Sequence, residues 1–153
     1  NTLAEEVFES YQPHFARHQV RASFVPSTDD FYVNADREAL LECLSNLIDN
    51  AIKYSRDTDR EIEIKVLRNG HWAELRVKDN GIGISKVNQK HIFEKFFRVT
   101  QGDLAHKAKG AGLGLNIVKS NVKACGGKVS VQSELNVGST FILSFPFVKN
   151  TES

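Results

Sequence analysis

The sequence predicts an α+β fold in which one face of a sheet is covered mainly by helices. Segments in which apolar and polar residues alternate, at 61–66 and 74–77, predict strands. Segments with apolar residues three and four positions apart, at 39–52 and 115–125, predict helices. The strands are joined by hairpins rather than by regular strand–helix alternation, which favours a mixed sheet over a parallel one.

The composition and charge are those of an ordinary globular domain. The chain has 153 residues, of which 41% are hydrophobic and 25% charged, and this length suits one domain. Its formal net charge of +1 gives no reason to expect nucleic acid or an acidic membrane surface as a partner. No apolar run approaches the roughly 18 residues that span a bilayer, and no signal peptide opens the chain. The first residues lack a methionine, so we expect a domain of a longer protein.

The elements can be justified in chain order from periodicity and from turn residues. Asp36 is a candidate N-cap for the first long helix, and Asn69-Gly70 is a favoured hairpin turn. Gly126-Gly127 ends the last helix. The predicted order is a helix at 3–18 interrupted at Pro13, strands at 20–25 and 31–33, a helix at 39–54, strands at 61–66 and 74–77, a short helix within 85–98, a helix at 115–125, and two closing strands, KVSVQSE and STFILSFPF.

The two cysteines, Cys43 and Cys125, both fall on the apolar faces of predicted helices. They do not form a Cys-x-x-Cys pattern, and the five histidines are scattered along the chain. We therefore expect buried, reduced thiols rather than a disulfide, and a zinc-type metal cluster is not supported.

The helix at 39–54 carries polar residues beside its apolar stripe. Asn46, Asn50 and Lys53 are four and three residues apart, so they share one flank of the helix. Two amide oxygens and one ammonium group suit a magnesium ion and the phosphates attached to it. Taken alone, the same pattern also suits an ordinary solvated helix face.

The stretch KDNGIGI follows the strand at 74–77 and contains an acid and two glycines. The Asp79 carboxylate can accept a hydrogen bond from an exocyclic amine such as that of adenine. Gly81 and Gly83 allow the backbone to turn sharply and to approach a planar ligand closely. A tight turn with a solvated aspartate is the alternative, and Asn80 is expected to be structural.

The segment KGAGLGLNIVK, residues 109–119, has alternating glycines just before a helix. Gly110, Gly112 and Gly114 leave backbone N–H groups available to phosphate oxygens at the helix N-terminus. Lys107 and Lys109 add nearby positive charge. A flexible hinge with solvated lysines would have the same residues.

The order and spacing of these segments are more specific than any one of them. The segments N-L-I-D-N-A-I-K-Y-S, D-N-G-I-G-I, I-F-E-K-F-F-R, G-A-G-L-G-L-N-I-V-K and G-S-T-F follow one another in the chain. Together they resemble the N, G1, F and G2 boxes and the late Gly-Thr motif of sensor histidine kinases, from about Asn34 to Phe147. The chain thus resembles the catalytic, ATP-binding domain of such a kinase.

This resemblance implies the Bergerat ATP-binding fold, a two-layer α/β sandwich with a mixed, mostly antiparallel sheet, helices on one face and an ATP lid. The implied cofactors are ATP and Mg²⁺, with Asn50 and Asn46 as the metal ligands and with Asn46 and Lys53 as the catalytic residues. The lid would be residues 99–111, hinged by Phe93, Phe96 and Phe97. The other implied nucleotide-binding residues are Tyr54, Asp79, Gly81, Gly83, Ile84, Phe97, Arg98, Lys109, Gly110, Gly112, Leu113, Gly114, Leu115 and Thr140. Among them, Tyr54 would pack on adenine, Asp79 would bind its amine, and Thr140 lies on the strand that would back this pocket.

The resemblance also implies a function and a domain organisation. The domain would bind Mg-ATP and donate the γ-phosphoryl group to a histidine on a separate dimerisation domain, for onward transfer to an aspartate of a response regulator receiver domain. Residues 1–18 would be a linker or first helix following that dimerisation domain, residues 19–149 the catalytic domain, and residues 150–153 a tail. We expect a cytoplasmic, monomeric domain that contacts neither nucleic acid nor membrane, even if the parent protein is membrane-anchored.

Two other functions remain open. ATPases of the gyrase, heat-shock-90 and mismatch-repair kind, and the serine kinases that regulate sigma factors, carry a glutamate at the position of Asn46. An amide cannot act as a general base at neutral pH, so Asn46 favours transfer to histidine over hydrolysis. A nucleotide-binding module without catalysis is the second alternative, although its boxes would then be expected to degenerate.

Overall fold

The computed structural model of the chain describes residues 1–29, 31–94 and 113–149. The helices and strands in these ranges follow the predicted order closely. They are α1 (Thr2–Ser10), α2 (Gln12–Arg17), β1 (Val20–Val25), β2 (Phe31–Val33), α3 (Arg37–Lys53), β3 (Arg60–Asn69), β4 (Trp72–Asp79), α4 (Lys86–Gln89), α5 (Leu113–Ala124), β5 (Lys128–Glu134) and β6 (Gly138–Lys149). The predicted lid, residues 99–111, lies outside the described residues.

The strands form a single mixed sheet in which β6 is the longest member. Strand β6 pairs antiparallel with β4 and with β5, and its last residues pair with β2. Strands β3 and β4 form the predicted hairpin, and β1 is added to β3 in parallel. The predicted mixed, mostly antiparallel sheet is therefore confirmed.

The hydrophobic core lies between one face of this sheet and the helices α1, α2, α3 and α5. The apolar stripe of α3 is buried because its members recur every three or four residues, and β3 contributes every second residue, as a pleated strand must. Side chains that are at most 1% exposed include Cys43, Leu44, Leu47, Ile48, Ile62, Ile64, Val77, Val118, Val122 and Leu143. The opposite face of the sheet is not covered by the described helices, and we call it the open face.

The first helical segment is interrupted at Tyr11 rather than at Pro13. Tyr11 is at once the C-cap of α1 and the N-cap of α2, and Pro13 lies in the first turn of α2. Proline is harmless there because the N–H group that it lacks would have no partner inside the helix. Ala4 and Val7 of α1 and Phe15 of α2 are buried in the shared core.

Two smaller predictions are also corrected. Both cysteines are free thiols as expected, but only Cys43 is fully buried, since Cys125 lies at the partly exposed end of α5. Asp36 does precede α3, yet its side chain makes no capping hydrogen bond. No helix among the described residues is long and apolar enough to cross a membrane.

Candidate functional site

The polar flank of α3 lies where its apolar stripe meets solvent. Asn46 and Asn50 are partly buried, and Lys53 is exposed at the last turn. Neither amide has a hydrogen-bond partner among the described residues, so both are free to bind a ligand. The Lys53 ammonium lies 5.6 Å from the centroid of the Tyr54 ring, which places its charge beside that ring.

These amides are also the oxygen donors that could serve a metal ion. In the described part of the chain no group of three or more His, Cys, Asp or Glu side chains is arranged to hold one. Two neutral amide oxygens make a weak site alone, but they suit Mg²⁺, which keeps several waters and shares phosphate oxygens with its ligand. The residues present therefore fit a magnesium ion that arrives with a nucleotide.

Asp79 ends β4 and is the buried acid of the site, only 7% exposed. Its Oδ1 accepts a hydrogen bond from the Gly81 N–H at 2.8 Å, and the backbone N–H of Ser139 also donates to the carboxylate. Burial raises the pKa of Asp79 from 3.8 to about 6, although these two hydrogen bonds oppose the rise. At neutral pH the site therefore presents a buried carboxylate that can accept a hydrogen bond from a ligand.

Gly81 brings Asp79 to the end of α3. A Cβ atom at Gly81 would overlap the carbonyl oxygen of Tyr54 and would lie 2.9 Å from Asp79 Oδ1. The next residue, Ile82, donates its N–H to the same Tyr54 oxygen at 3.1 Å. The missing side chain is thus required for the loop after β4 to be hydrogen-bonded to the residue that ends α3.

The other side of this loop is packed against the hairpin between β5 and β6. Gly83 has φ +73°, and a Cβ there would overlap the carbonyl of Glu134. A Cβ atom at Gly138 would overlap the Asp79 carbonyl in the same way. The Asn136 N–H also donates a hydrogen bond to the Ile82 carbonyl at 2.8 Å. The loop is therefore held on both sides through its backbone.

Asn80 has the structural role that the sequence predicts. Its Nδ2 donates to the Asp59 carbonyl at 2.6 Å, and its Oδ1 accepts from the Glu61 N–H at 2.9 Å. Asn80 thereby connects the start of β3 to the end of β4. Its side chain is occupied by these two hydrogen bonds, whereas the Asp79 carboxylate can still accept one from a ligand.

The remaining predicted residues are distributed as follows. Ile84 and Leu115 are partly buried and pack against the core. Leu113 and Gly114 begin α5. Phe93 packs edge-on against Phe141 at 6.2 Å between ring centroids. The positions that lie outside the described residues are Phe96, Phe97, Arg98, Lys107, Lys109, Gly110 and Gly112.

The structure places Ser139, rather than Thr140, beside Asp79. Asp79 is paired directly with Ser139 in the register of β4 and β6, whereas Thr140 is paired with Lys78 and faces the other side of the sheet. Ser139 is 6% exposed and is a site residue that the sequence analysis missed. Because Ser139 and Thr140 both carry a hydroxyl group, the sequence does not indicate which of them lies beside Asp79, and only the register between β4 and β6 decides it.

A concave region also extends over the open face of the same strands, and its lining includes Asp79, Ser133 and Ser139. This groove has a volume of about 690 Å³, and it is lined by side chains from β1, β3, β4, β5 and β6. Its charges are mixed, since Arg21 and Glu61 form an exposed ion pair at 2.6 Å and Glu63 lies opposite Lys78 in the register of β3 and β4. The Asp79 side chain lies on the same side of β4 as the buried Val77, so its carboxylate faces the helices, whereas the exposed charges of the groove lie on the other side of the sheet.

The comparisons with known proteins identify the family to which the chain belongs. Residues 35–149 match the family model described as "Histidine kinase-, DNA gyrase B-, and HSP90-like ATPase". The chain therefore belongs to this family of ATPase domains. The resemblance to the catalytic domain of sensor histidine kinases is likewise confirmed.

The similar proteins include sensor proteins and histidine kinases. The sensor protein RprX of Bacteroides fragilis is 40% identical over 117 residues, which cover 76% of this chain but 22% of RprX. The catalytic domain of histidine kinase ThkA, in a nucleotide-free form, is 27% identical with a TM-score of 0.80, covering 95% of this chain and 92% of that domain. Full-length ShkA in complex with AMPPNP is also 27% identical, with a TM-score of 0.83, covering 97% of this chain and 30% of ShkA. The chain thus corresponds to one part of longer kinases.

The raised pKa of Asp79 predicts a specific pH dependence of stability. Because the folded state holds this proton up to about pH 6 and the unfolded state releases it near 3.8, the contribution of Asp79 is most favourable at low pH. It should be lost as the pH rises from 4 to 7, by up to about 3 kcal/mol. The measurement is the free energy of unfolding of the natural chain minus that of Asp79→Asn, at a series of pH values. A difference that stays constant across this range would contradict the buried-acid assignment.

Proposed function

We propose that this chain binds Mg-ATP and donates the γ-phosphoryl group to a histidine on a separate dimerisation domain, from which a response regulator aspartate receives it. One observation carries the proposal. The buried Asp79 carboxylate is joined through Gly81 to the end of α3, whose flank presents the side-chain amides of Asn46 and Asn50, neither of which is hydrogen-bonded to a residue that the structure describes. The site thus offers an acceptor for an amine at one end and oxygen ligands for a metal-bound phosphate at the other.

The base end of the site fits an aminopurine. An ionised carboxylate accepts a hydrogen bond and cannot donate one, so it favours the exocyclic amine of adenine over a carbonyl at the same position. The absence of a side chain at Gly81 also lets the loop backbone lie directly against the Tyr54 carbonyl and the Asp79 carboxylate. Support for nucleotide binding comes from ShkA, whose structure was obtained with AMPPNP.

The phosphate end of the site fits a magnesium-bound triphosphate. Magnesium would supply charge neutralisation at the transferring phosphoryl group. Asn46 and Asn50 would hold it through their amide oxygens, and the exposed Lys53 would contact a phosphate. Phosphoryl transfer depends mainly on such positioning and neutralisation, and little other chemistry is needed from the domain.

The residues around this end favour transfer over hydrolysis. Asn46 is an amide and cannot remove a proton from water at neutral pH. An imidazole nitrogen needs no such help to attack, and the histidine is proposed to come from the dimerisation domain. We therefore propose kinase activity rather than rapid ATP turnover for this chain.

The first test concerns recognition of the adenine base by Asp79. Asp79→Asn should weaken ADP binding by about 1.5–3 kcal/mol, because a hydrogen bond to a charged acceptor is lost. Isothermal titration calorimetry at pH 7.5 gives the affinity, and circular dichroism checks that the variant is folded. Asp29→Asn, at an exposed position far along the chain, is the matched control and should bind ADP as the natural chain does. Equal affinities for Asp79→Asn and the control would remove Asp79 from the site.

The second test concerns phosphoryl transfer. With γ-labelled ATP and magnesium, the chain should label a separately supplied dimerisation domain of a related kinase but should not label itself, and it should hydrolyse ATP slowly. Asn50→Ala should reduce this transfer at least tenfold while weakening ADP binding less, because the metal acts mainly on the transferring group.

Asn34→Ala, an exposed asparagine outside the site, should transfer normally. Rapid ATP turnover by the unmodified chain alone, with no transfer to the acceptor domain, would instead support the ATPase alternative.

A further inference from the structure

Two serines, Ser133 and Ser139, lie next to Asp79 in the sheet, and the proposed function does not use their hydroxyl groups. Ser133 of β5 is paired with Ser139 of β6, and Ser139 is paired in turn with Asp79 of β4. All three side chains therefore share one face of the sheet, the face on which the ligand site lies. The Ser133 and Ser139 hydroxyl oxygens are 2.7 Å apart, the usual distance for a hydrogen bond between two hydroxyl groups, each of which can donate or accept.

The other partners of Ser133 decide the direction of that bond. Its hydroxyl oxygen accepts the Ile84 N–H at 2.8 Å and donates its only proton to the Gly138 carbonyl at 2.9 Å. A hydroxyl has one proton and two lone pairs. Because the Ser133 hydroxyl donates its proton to the Gly138 carbonyl and uses one lone pair to accept the Ile84 N–H, it can only accept a hydrogen bond from Ser139. The reverse arrangement would give up the bond to Gly138.

Ser139 is consequently left as an acceptor toward the ligand. Its proton is committed to Ser133, and no side chain or backbone group in the described part of the chain donates to its lone pairs. Beside it, Asp79 is an acceptor as well, since the N–H groups of Gly81 and Ser139 already donate to the carboxylate. The two side chains therefore match a ligand group that donates hydrogen bonds, such as an exocyclic amine, and they oppose a carbonyl oxygen at the same position.

We propose that Ser133 is a positioning residue for base recognition, because its hydroxyl holds the Ser139 hydroxyl as an acceptor and so sharpens the preference for an aminopurine over an oxopurine. The inference rests on the proposed function, in that it assumes a purine nucleotide in this site. Ser133 affects base recognition through Ser139, without contact to the base itself, and its separate bond to the Ile84 N–H holds the loop that follows Asp79. Gln89 supports the same loop, since its Nε2 donates to the Ile84 carbonyl at 2.7 Å and to the Ser133 carbonyl at 3.0 Å.

The test compares ADP with IDP, in which a carbonyl replaces the adenine amine. Calorimetry on the whole chain gives both dissociation constants, and the quantity of interest is their ratio. In Ser133→Ala the Ser139 hydroxyl is free to rotate and to donate to a carbonyl, so the preference for ADP should fall about five- to tenfold, the effect of one hydrogen bond. If the substitution only loosened the loop, it would weaken the binding of ADP and IDP to the same extent and would leave the ratio of their dissociation constants unchanged.

Three further variants complete the design. Ser133→Thr keeps the hydroxyl and suits a strand, so it should retain the natural ratio. Ser130→Ala removes an exposed hydroxyl on the open face of the same strand and is the matched control. Ser139→Ala should lower the preference for ADP, and adding Ser133→Ala to it should have no further effect on the ratio, since the residue through which Ser133 acts is gone.

The outcomes separate this inference from the proposed function. If the natural chain binds neither nucleotide, the proposed function itself fails. If it binds ADP in preference to IDP but Ser133→Ala keeps the same ratio, the proposed function stands and the role of Ser133 is overturned. A reduced ratio in Ser133→Ala that Ser133→Thr restores supports it.

Discussion

The close approach of the loop after β4 to the end of α3 organises the site. Gly81 packs against the Tyr54 carbonyl, and the Ile82 N–H donates to that same oxygen. This contact places the Asp79 carboxylate near the helix that carries Asn46 and Asn50. Any side chain at Gly81 would overlap the Tyr54 backbone and force the two elements apart. The metal-binding and base-binding ends of the proposed site therefore depend on one glycine.

The sheet provides the second constraint because it separates two chemically different faces. Residues that alternate along β4 and β6 point either toward the helices or toward the open face. The open face carries a groove with mixed and exposed charges, whereas the desolvated Asp79 carboxylate lies on the helix face. A buried carboxylate with a perturbed pKa is a stronger indication of a ligand site than the size of a groove.

Much of this could be predicted from the sequence, for identifiable physical reasons. The periodicities of α3, β3 and β4 reflect burial on one face, and so the core and the flank of Asn46, Asn50 and Lys53 were accessible without coordinates. The order of the glycine-rich and asparagine-containing segments indicated the family, and the family match over residues 35–149 confirms it.

The contacts that depend on strand register or on distant backbone groups could not be predicted. Nothing in the sequence says that Asp79 pairs with Ser139, so the neighbouring Thr140 was the natural choice. The network of Ser133 depends on the same register. The sequence analysis placed the helix interruption at Pro13 instead of Tyr11. Proline interrupts a helix when it lies in the interior, but it is equally suited to the first turn of a new helix, where the structure places it.

The central claim is that a nucleotide base binds on the helix side of the sheet, at Asp79. A crystal structure of the chain with ADP and magnesium tests it most directly. The account predicts the adenine amine about 3 Å from the Asp79 carboxylate, with the phosphates along the flank of α3 that carries Asn46 and Asn50. Adenine bound in the open-face groove, beside Arg21 and Glu63, would contradict it.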